Sequence, residues 1–98
     1  MLFAVIFKDK HNSGELRKSH LAAHIAWLDL HQSMVRVGGS LRSELDQTPV
    51  GGLWIVETES KKAIYDLLET DPFWMVGLRH SVEVFHWSKA FEDRKSLI

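Results

Sequence analysis

Runs of residues typical of strands and of helices alternate along this chain in the order β-α-β-β-α-β, and this order limits the possible folds more than any other feature. Leu2–Phe7 is rich in Val, Ile and Phe and is predicted to be a strand, as are residues 38–45, 53–59 and 81–87. Two helices on one face of a four-stranded antiparallel sheet, the ferredoxin-like arrangement, accommodate this order. We therefore predict an α+β fold of this kind.

The first helix is predicted to begin after Ser13, whose hydroxyl can cap it, with Glu15 in its first turn. It is expected to run to about Val35 and to end before Gly38–Gly39. At about 100° per residue it has two apolar stripes, both expected to be buried, with a band of histidines between them. The stripes are Leu21, Ile25, Leu28 and Val35, and Leu16, Ala23, Trp27, Leu30 and Met34; the histidines are His20, His24 and His31.

A second helix is predicted to start at Ser60, which can cap it, and to continue to about Glu69. Asp71 and Pro72 then favour a short third helix, because Asp is a good cap and Pro a good first residue.

Length and composition exclude several classes of protein. The 98 residues suit one small domain, residues 1–98, and the formal net charge of −1 with scattered basic residues does not favour a nucleic-acid partner. Without cysteine the chain has no disulfide, thiolate metal site or cysteine nucleophile, which fits a cytoplasmic protein. The apolar start is too short for a signal peptide or a membrane span, so no membrane partner is expected.

The predicted sheet has one face without helices, and bulky residues of several strands point to that face. A monomer rarely leaves an apolar patch of this kind in water. We expect a homodimer, either with the two sheets packed face to face or with strands that pair across the subunits.

The ordered motifs of the chain resemble the YciI-like proteins of the dimeric α+β barrel superfamily over nearly the whole length. The segment "AAHIAWL" resembles the family's helix with its signature histidine, here His24. The segment "GGLWIVETESKKAIYDLLETDPFWMVGL" contains the family's later motifs in order, namely Ser60, Ala63, Asp71, Pro72, Phe73 and Gly77.

The resemblance implies a catalytic pair formed by His24 and Asp71. A carboxylate that accepts one imidazole N–H fixes the tautomer and leaves the other nitrogen as a general base or acid, without a cofactor. Such a pair suits a small-molecule isomerase, lyase or dehydrochlorinase. Ser40 is a candidate hydrogen-bond donor to the substrate, and Trp27 and Phe73 are candidate walls of its pocket.

Each candidate residue also has a purely structural interpretation. Asp71 can cap the short helix, and His24 can be a hydrogen-bonded core residue. Ser40 can be an ordinary strand hydroxyl, and Trp27 and Phe73 can belong to the core or to an interface. Arg36, Arg42 and Arg79 are expected to be solvated.

Two other functions remain open from the sequence. The protein can be a non-catalytic small-molecule-binding or accessory protein, because fold does not fix function. It can also bind a metal, since His20 and His24 have i, i+4 spacing, with a third ligand from His80, His86 or a carboxylate. The absence of a His-Glu-x-x-His pattern disfavours the metal site, and none is predicted.

Overall fold

The sheet is built around two central antiparallel strands that bring the functional residues to one end of it. The computed structural model describes residues 1–98. The elements are β1 (Leu2–Asp9), α1 (Gly14–Leu30), β2 (Val35–Leu41), β3 (Gly51–Glu57), α2 (Lys61–Leu68), α3 (Pro72–Met75) and β4 (Arg79–His86). The strand order is β2-β3-β1-β4 with every neighbouring pair antiparallel, which confirms the predicted α+β, ferredoxin-like fold.

The core lies between the helices and one face of the sheet. Phe3, Val5 and Phe7 alternate along β1 and are buried. Trp54 on β3 packs against Phe7 with ring centroids 4.6 Å apart and an interplanar angle of 63°. Ile64 of α2 completes the same cluster from the helical layer. Alternate side chains of each strand point to opposite faces, and one of the two sets lies in the core.

The first helix is shorter than the sequence indicates. It ends at Leu30, and Val35, predicted as its last residue, begins β2, where it pairs with Val56. The side chain of Val35 is buried in the core, and burial together with strand pairing outweighs a weak helical preference. The strand predicted over 38–45 therefore starts earlier and ends at Leu41.

Only one side of α1 is buried, and Trp27 is the only residue of the two predicted apolar stripes among the buried residues of this helix. The buried residues are Arg17, His24 and Trp27, whereas Leu21 and Ile25 are 43% and 54% exposed. The buried side thus runs along the polar band that the sequence placed between the stripes. Because Arg17 and His24 each have a carboxylate partner, their burial does not leave polar groups unsatisfied.

The two predicted serine caps differ. Ser60 accepts a hydrogen bond from the Ala63 N–H at 3.2 Å and caps α2 as expected. Ser13 precedes α1, but its hydroxyl donates to the Lys10 carbonyl at 2.6 Å and makes no capping bond. None of the helices combines the length and the apolar character needed to cross a membrane.

Candidate active site

A cleft of about 890 Å³ opens beside the N-terminal half of α1, at the end of the sheet where β1 finishes and β4 starts. The helix contributes Leu21, Ile25 and Leu28 to its lining. The strand β2 contributes Gly38–Gly39 and Ser40. A Cβ on Gly39 would meet nothing within 4 Å, so the absent side chain leaves open space at the cleft.

His24 and Asp71 meet at the cleft, although 47 positions separate them in the sequence. His24 Nδ1 lies 2.6 Å from Asp71 Oδ1, and Asp71 is fully buried while His24 is 6% exposed. His24 lines the cleft. The arrangement satisfies the geometric requirement for a base that a carboxylate orients.

The turn that leads into α3 positions Asp71. Asp71 stands at the N-cap of α3, and its Oδ1 also accepts the Phe73 N–H at 3.1 Å. Capping and contact with His24 therefore occur together. The Phe73 ring stacks on the His24 ring at 4.0 Å between centroids and 14° between planes, which holds the imidazole from its flat side.

A second buried cluster lies at the cleft and consists of Asp9, Arg17 and Arg79. Arg17 donates to Asp9 Oδ2 from Nη2 at 2.7 Å and from Nε at 3.2 Å, and Arg79 Nη1 donates to Asp9 Oδ1 at 2.8 Å. Arg17 Nη2 also donates to the Gly51 carbonyl at 3.1 Å. Both arginines line the cleft and each is 7% exposed.

Two buried polar atoms at the site have no hydrogen-bond partner, Asp71 Oδ2 and Arg79 Nε. Burial lowers the pKa of Arg79 from its ordinary value, although its hydrogen bond to Asp9 and the charge of Asp9 oppose this shift. The neighbouring Arg17 cation lowers the pKa of Arg79 as well. The guanidinium is nevertheless expected to stay protonated in the normal pH range.

Of the other candidate residues, only Ser40 lies in the cleft lining. Trp27 lies in the core, where its Nε1 donates to Thr70 Oγ1 at 2.9 Å and its ring lies 5.3 Å from that of Trp54. Phe73 is fully buried, and its ring stacks on the flat side of the His24 ring. The apolar part of the lining comes instead from Leu21, Ile25 and Leu28.

Sequence reasoning missed the Asp9–Arg17–Arg79 cluster. The expectation that Arg79 is solvated is wrong, because Phe7 and Phe73 pack against its guanidinium. The guanidinium carbon lies 4.3 Å from the centroid of the Phe7 ring and 5.2 Å from that of the Phe73 ring. Arg17 precedes His24 by seven residues, a spacing that puts both on one side of a helix and was an available signal. No local pattern marks Arg79. Of the other two arginines, Arg36 is exposed and pairs with Glu57, and Arg42 is exposed.

The structure brings together no group of three or more His, Asp or Glu side chains that could hold a metal ion. The Nδ1 of His24 is already committed to Asp71. The metal site considered from the i, i+4 histidines therefore has no ligand set.

Comparison with known proteins identifies relatives by sequence and by structure. TftG, 5-chloro-2-hydroxyhydroquinone dehydrochlorinase from Burkholderia phenoliruptrix AC1100, was solved in complex with 2,5-dihydroxybenzoquinone. It is 32% identical, with a TM-score of 0.80 over 90% of this chain and 94% of that chain. It belongs to the dimeric α+β barrel superfamily.

The other comparisons add less. At3g17210 from Arabidopsis thaliana, solved by ensemble refinement of its crystal structure, is 14% identical with a TM-score of 0.49 over 95% of this chain and 98% of that chain, which is too distant to support an inference. A comparison with curated protein sequences finds no match. The family model described as the YCII-related domain matches residues 1–88. On that match the chain belongs to the YCII-related domain family.

Proposed function

We propose that this protein is a small-molecule enzyme in which His24, oriented by Asp71, moves a proton in the cleft. The contact of 2.6 Å between His24 Nδ1 and Asp71 Oδ1 carries this proposal. Since Asp71 is an acceptor when ionised, Nδ1 holds the proton and Nε2 is left with its lone pair. His24 lines the cleft, so Nε2 is the nitrogen available to a substrate.

The surroundings of the pair support a fixed, preorganised base. Phe73 stacks on the imidazole, and the Phe73 N–H holds the carboxylate oxygen that His24 contacts. A base held in this way loses little freedom when the substrate binds, which favours proton transfer. The group needs neither a metal nor an organic cofactor to act as a general base.

The relative TftG supports an elimination or isomerisation as the reaction class. TftG dehydrochlorinates a chlorinated hydroquinone, 5-chloro-2-hydroxyhydroquinone. A dehydrochlorination removes one proton and one chloride without a redox partner, so a single well-placed base and a binding cleft are sufficient. By analogy, His24 would accept the proton, and chloride or another leaving group would depart.

We propose a homodimer as the working form. The sheet face away from the helices carries apolar side chains from all four strands. Its side chains include Ala4, Ile6, Val37, Leu41, Leu53, Ile55 and Phe85, and Val37, Leu41 and Phe85 are exposed. A second copy that presents the same face would cover these side chains with apolar surface.

Turnover assays with matched histidine variants test the enzymatic proposal. The substrates are 5-chloro-2-hydroxyhydroquinone, followed by released chloride, and a set of small lactones and phenols. His24→Gln is expected to lower kcat by about 10²–10⁴, with a much smaller change in KM. His20→Gln, on the same helix but outside the cleft lining, is the control and should keep wild-type turnover.

Wild-type turnover in His24→Gln would refute the role of the pair. If no substrate reacts but small molecules bind wild type and His24→Gln alike, the protein is a non-catalytic binding protein, the second function that the sequence leaves open.

A further inference from the structure

Two buried arginines at the cleft share a single carboxylate. Arg17 and Arg79 bind opposite oxygens of Asp9, and the side chain of Asp9 is only 2% exposed. Asp71 acts on Arg79 only through its charge, since its hydrogen bonds go to His24 and to the Phe73 N–H. Two buried cations that share one directly hydrogen-bonded carboxylate are only partly neutralised by it, so the cluster favours a further anion.

Arg79 has unused hydrogen-bonding capacity at this place. Its Nη1 donates to Asp9, whereas its Nε is buried without a partner. The backbone makes room for the guanidinium, because a Cβ on Gly52 would lie 3.3 Å from Arg79 Nη2. A planar guanidinium held in this way is suited to bind an ionised oxygen.

The charged side chains that line the cleft are mostly positive. Its lining includes four basic side chains and one acidic side chain: Arg17, Lys18, Arg42 and Arg79, and Glu15. The chain as a whole has a net charge of −1, so this concentration of positive charge is local. A cleft lined by one sign of charge attracts ligands of the opposite sign.

We propose that Arg17 and Arg79 form an anion-binding subsite that receives an ionised oxygen of the ligand, so that the cleft selects small organic anions over neutral molecules. The inference rests on the proposed function in one respect: His24 is taken to act on the same bound molecule. The ionised oxygen belongs to an enolate or phenolate, or to a carboxylate.

The geometry places the subsite and the base within reach of one small molecule. The guanidinium carbons of Arg17 and Arg79 lie 5.1 and 5.2 Å from the centroid of the Phe73 ring, on which His24 stacks. Leu21 and Ile25 add an apolar surface to the same cleft. An apolar ring with an ionised oxygen at one edge fits this combination.

Calorimetric titration with charged and neutral probes tests the inference on wild-type protein. The probes are 2,5-dihydroxybenzoquinone, which is acidic and ionised at neutral pH, benzoate, and the neutral 2,5-dimethoxybenzoquinone. At least one anion is expected to bind about tenfold or more tightly than the neutral ring, and added salt should weaken that binding. The two anions separate an enolate-type oxygen from a carboxylate.

Matched variants then assign the binding to the buried pair. Arg79→Gln is expected to weaken anion binding about tenfold or more and to leave binding of the neutral ring unchanged. Arg42→Gln, an exposed cation of the same cleft, is the control and should change anion affinity less than about threefold. Arg79→Lys, which keeps the charge but not the planar fork, covers the case in which Arg79→Gln fails to fold.

Equal affinity for charged and neutral probes, including no binding of either, would overturn the subsite. The subsite would also be overturned if Arg42→Gln lost anion binding while Arg79→Gln or Arg79→Lys kept it. His24→Gln separates this inference from the proposed function: it should keep anion affinity while turnover falls. Anion binding that depends on Arg79 in a protein without turnover would refute the acid–base function and leave the subsite standing.

Discussion

Gly51 shows at the scale of one residue how little space the fold leaves beside the site. A Cβ at Gly51 would overlap the carbonyl oxygen of Phe7 on the neighbouring strand. The Gly51 carbonyl also accepts a hydrogen bond from Arg17. A side chain at this position would therefore push apart β1 and β3 and move a group that holds the arginine cluster.

Gly51→Ala is expected to lower the free energy of unfolding by about 1–3 kcal/mol, because the backbone must shift to relieve the overlap. Gly39→Ala is the matched control on β2, where a Cβ meets nothing within 4 Å, and it should change the free energy by less than about 0.5 kcal/mol. Urea unfolding of the two variants and the wild type measures both values. Equal stability of the two variants would show that β1 and β3 do not approach so closely at Gly51.

At the scale of elements, the helix α1 shows what the sequence could predict and what it could not. Periodicity correctly indicates a helix here, with His24 in a band of its own between the apolar stripes. It cannot tell which side faces the sheet, because that depends on partners from distant elements. Asp71 meets His24 across 47 positions and Asp9 meets Arg17 across eight, and these contacts make the polar side the buried one.

The strands show the same difference between what local patterns predict and what depends on distant contacts. Alternation along β1 and β3 separates the side chains of each strand into two faces, and a one-residue shift in pairing would exchange those faces. It does not indicate which face the helices cover. The end of α1 and the start of β2 were misplaced, because pairing of Val35 with Val56 is not visible in local propensity. For the site, the ordered motifs indicated His24 and Asp71. Nothing near Arg79 in the sequence indicated that it would be buried against Phe7.

At the scale of the whole molecule, the open face of the sheet is an apolar surface that the helices do not cover. It extends over all four strands, from Val37 on β2 to Phe85 on β4. The helices cover only the opposite face, where the core lies. Assembly through the open face would leave the cleft of each chain accessible from the helical side.

Wild-type protein is expected to sediment as a dimer of the 11.3 kDa chain, and Phe85→Glu is expected to shift it toward the monomer, because a carboxylate would be placed in an apolar interface. Tyr65→Glu is the control: Tyr65 is an aromatic residue of similar exposure, 43% against 47%, in the helical layer. Sedimentation velocity at several concentrations distinguishes the two species. A monomeric wild type, or equal dissociation in both variants, would refute dimerisation through this face.

The central claim is that Asp71 orients His24, and long-range proton–nitrogen NMR of the histidine rings tests it most directly. Spectra of wild type and Asp71→Asn are compared at a pH where the imidazoles are neutral. Asparagine caps helices as well as aspartate does, so this change removes the charge and keeps the α3 cap. The His31 ring, which packs on Trp27, serves as an internal control.

In wild type, His24 is expected to occupy one tautomer with its proton on Nδ1. Asp71→Asn should weaken that preference, because a neutral amide oxygen is a weaker acceptor than a carboxylate, while His31 is unchanged. A His24 ring with its proton on Nε2 in wild type, or one that does not respond to Asp71→Asn, would contradict the account. Asp71 would then be a helix cap only, and His24 would be without its orienting group.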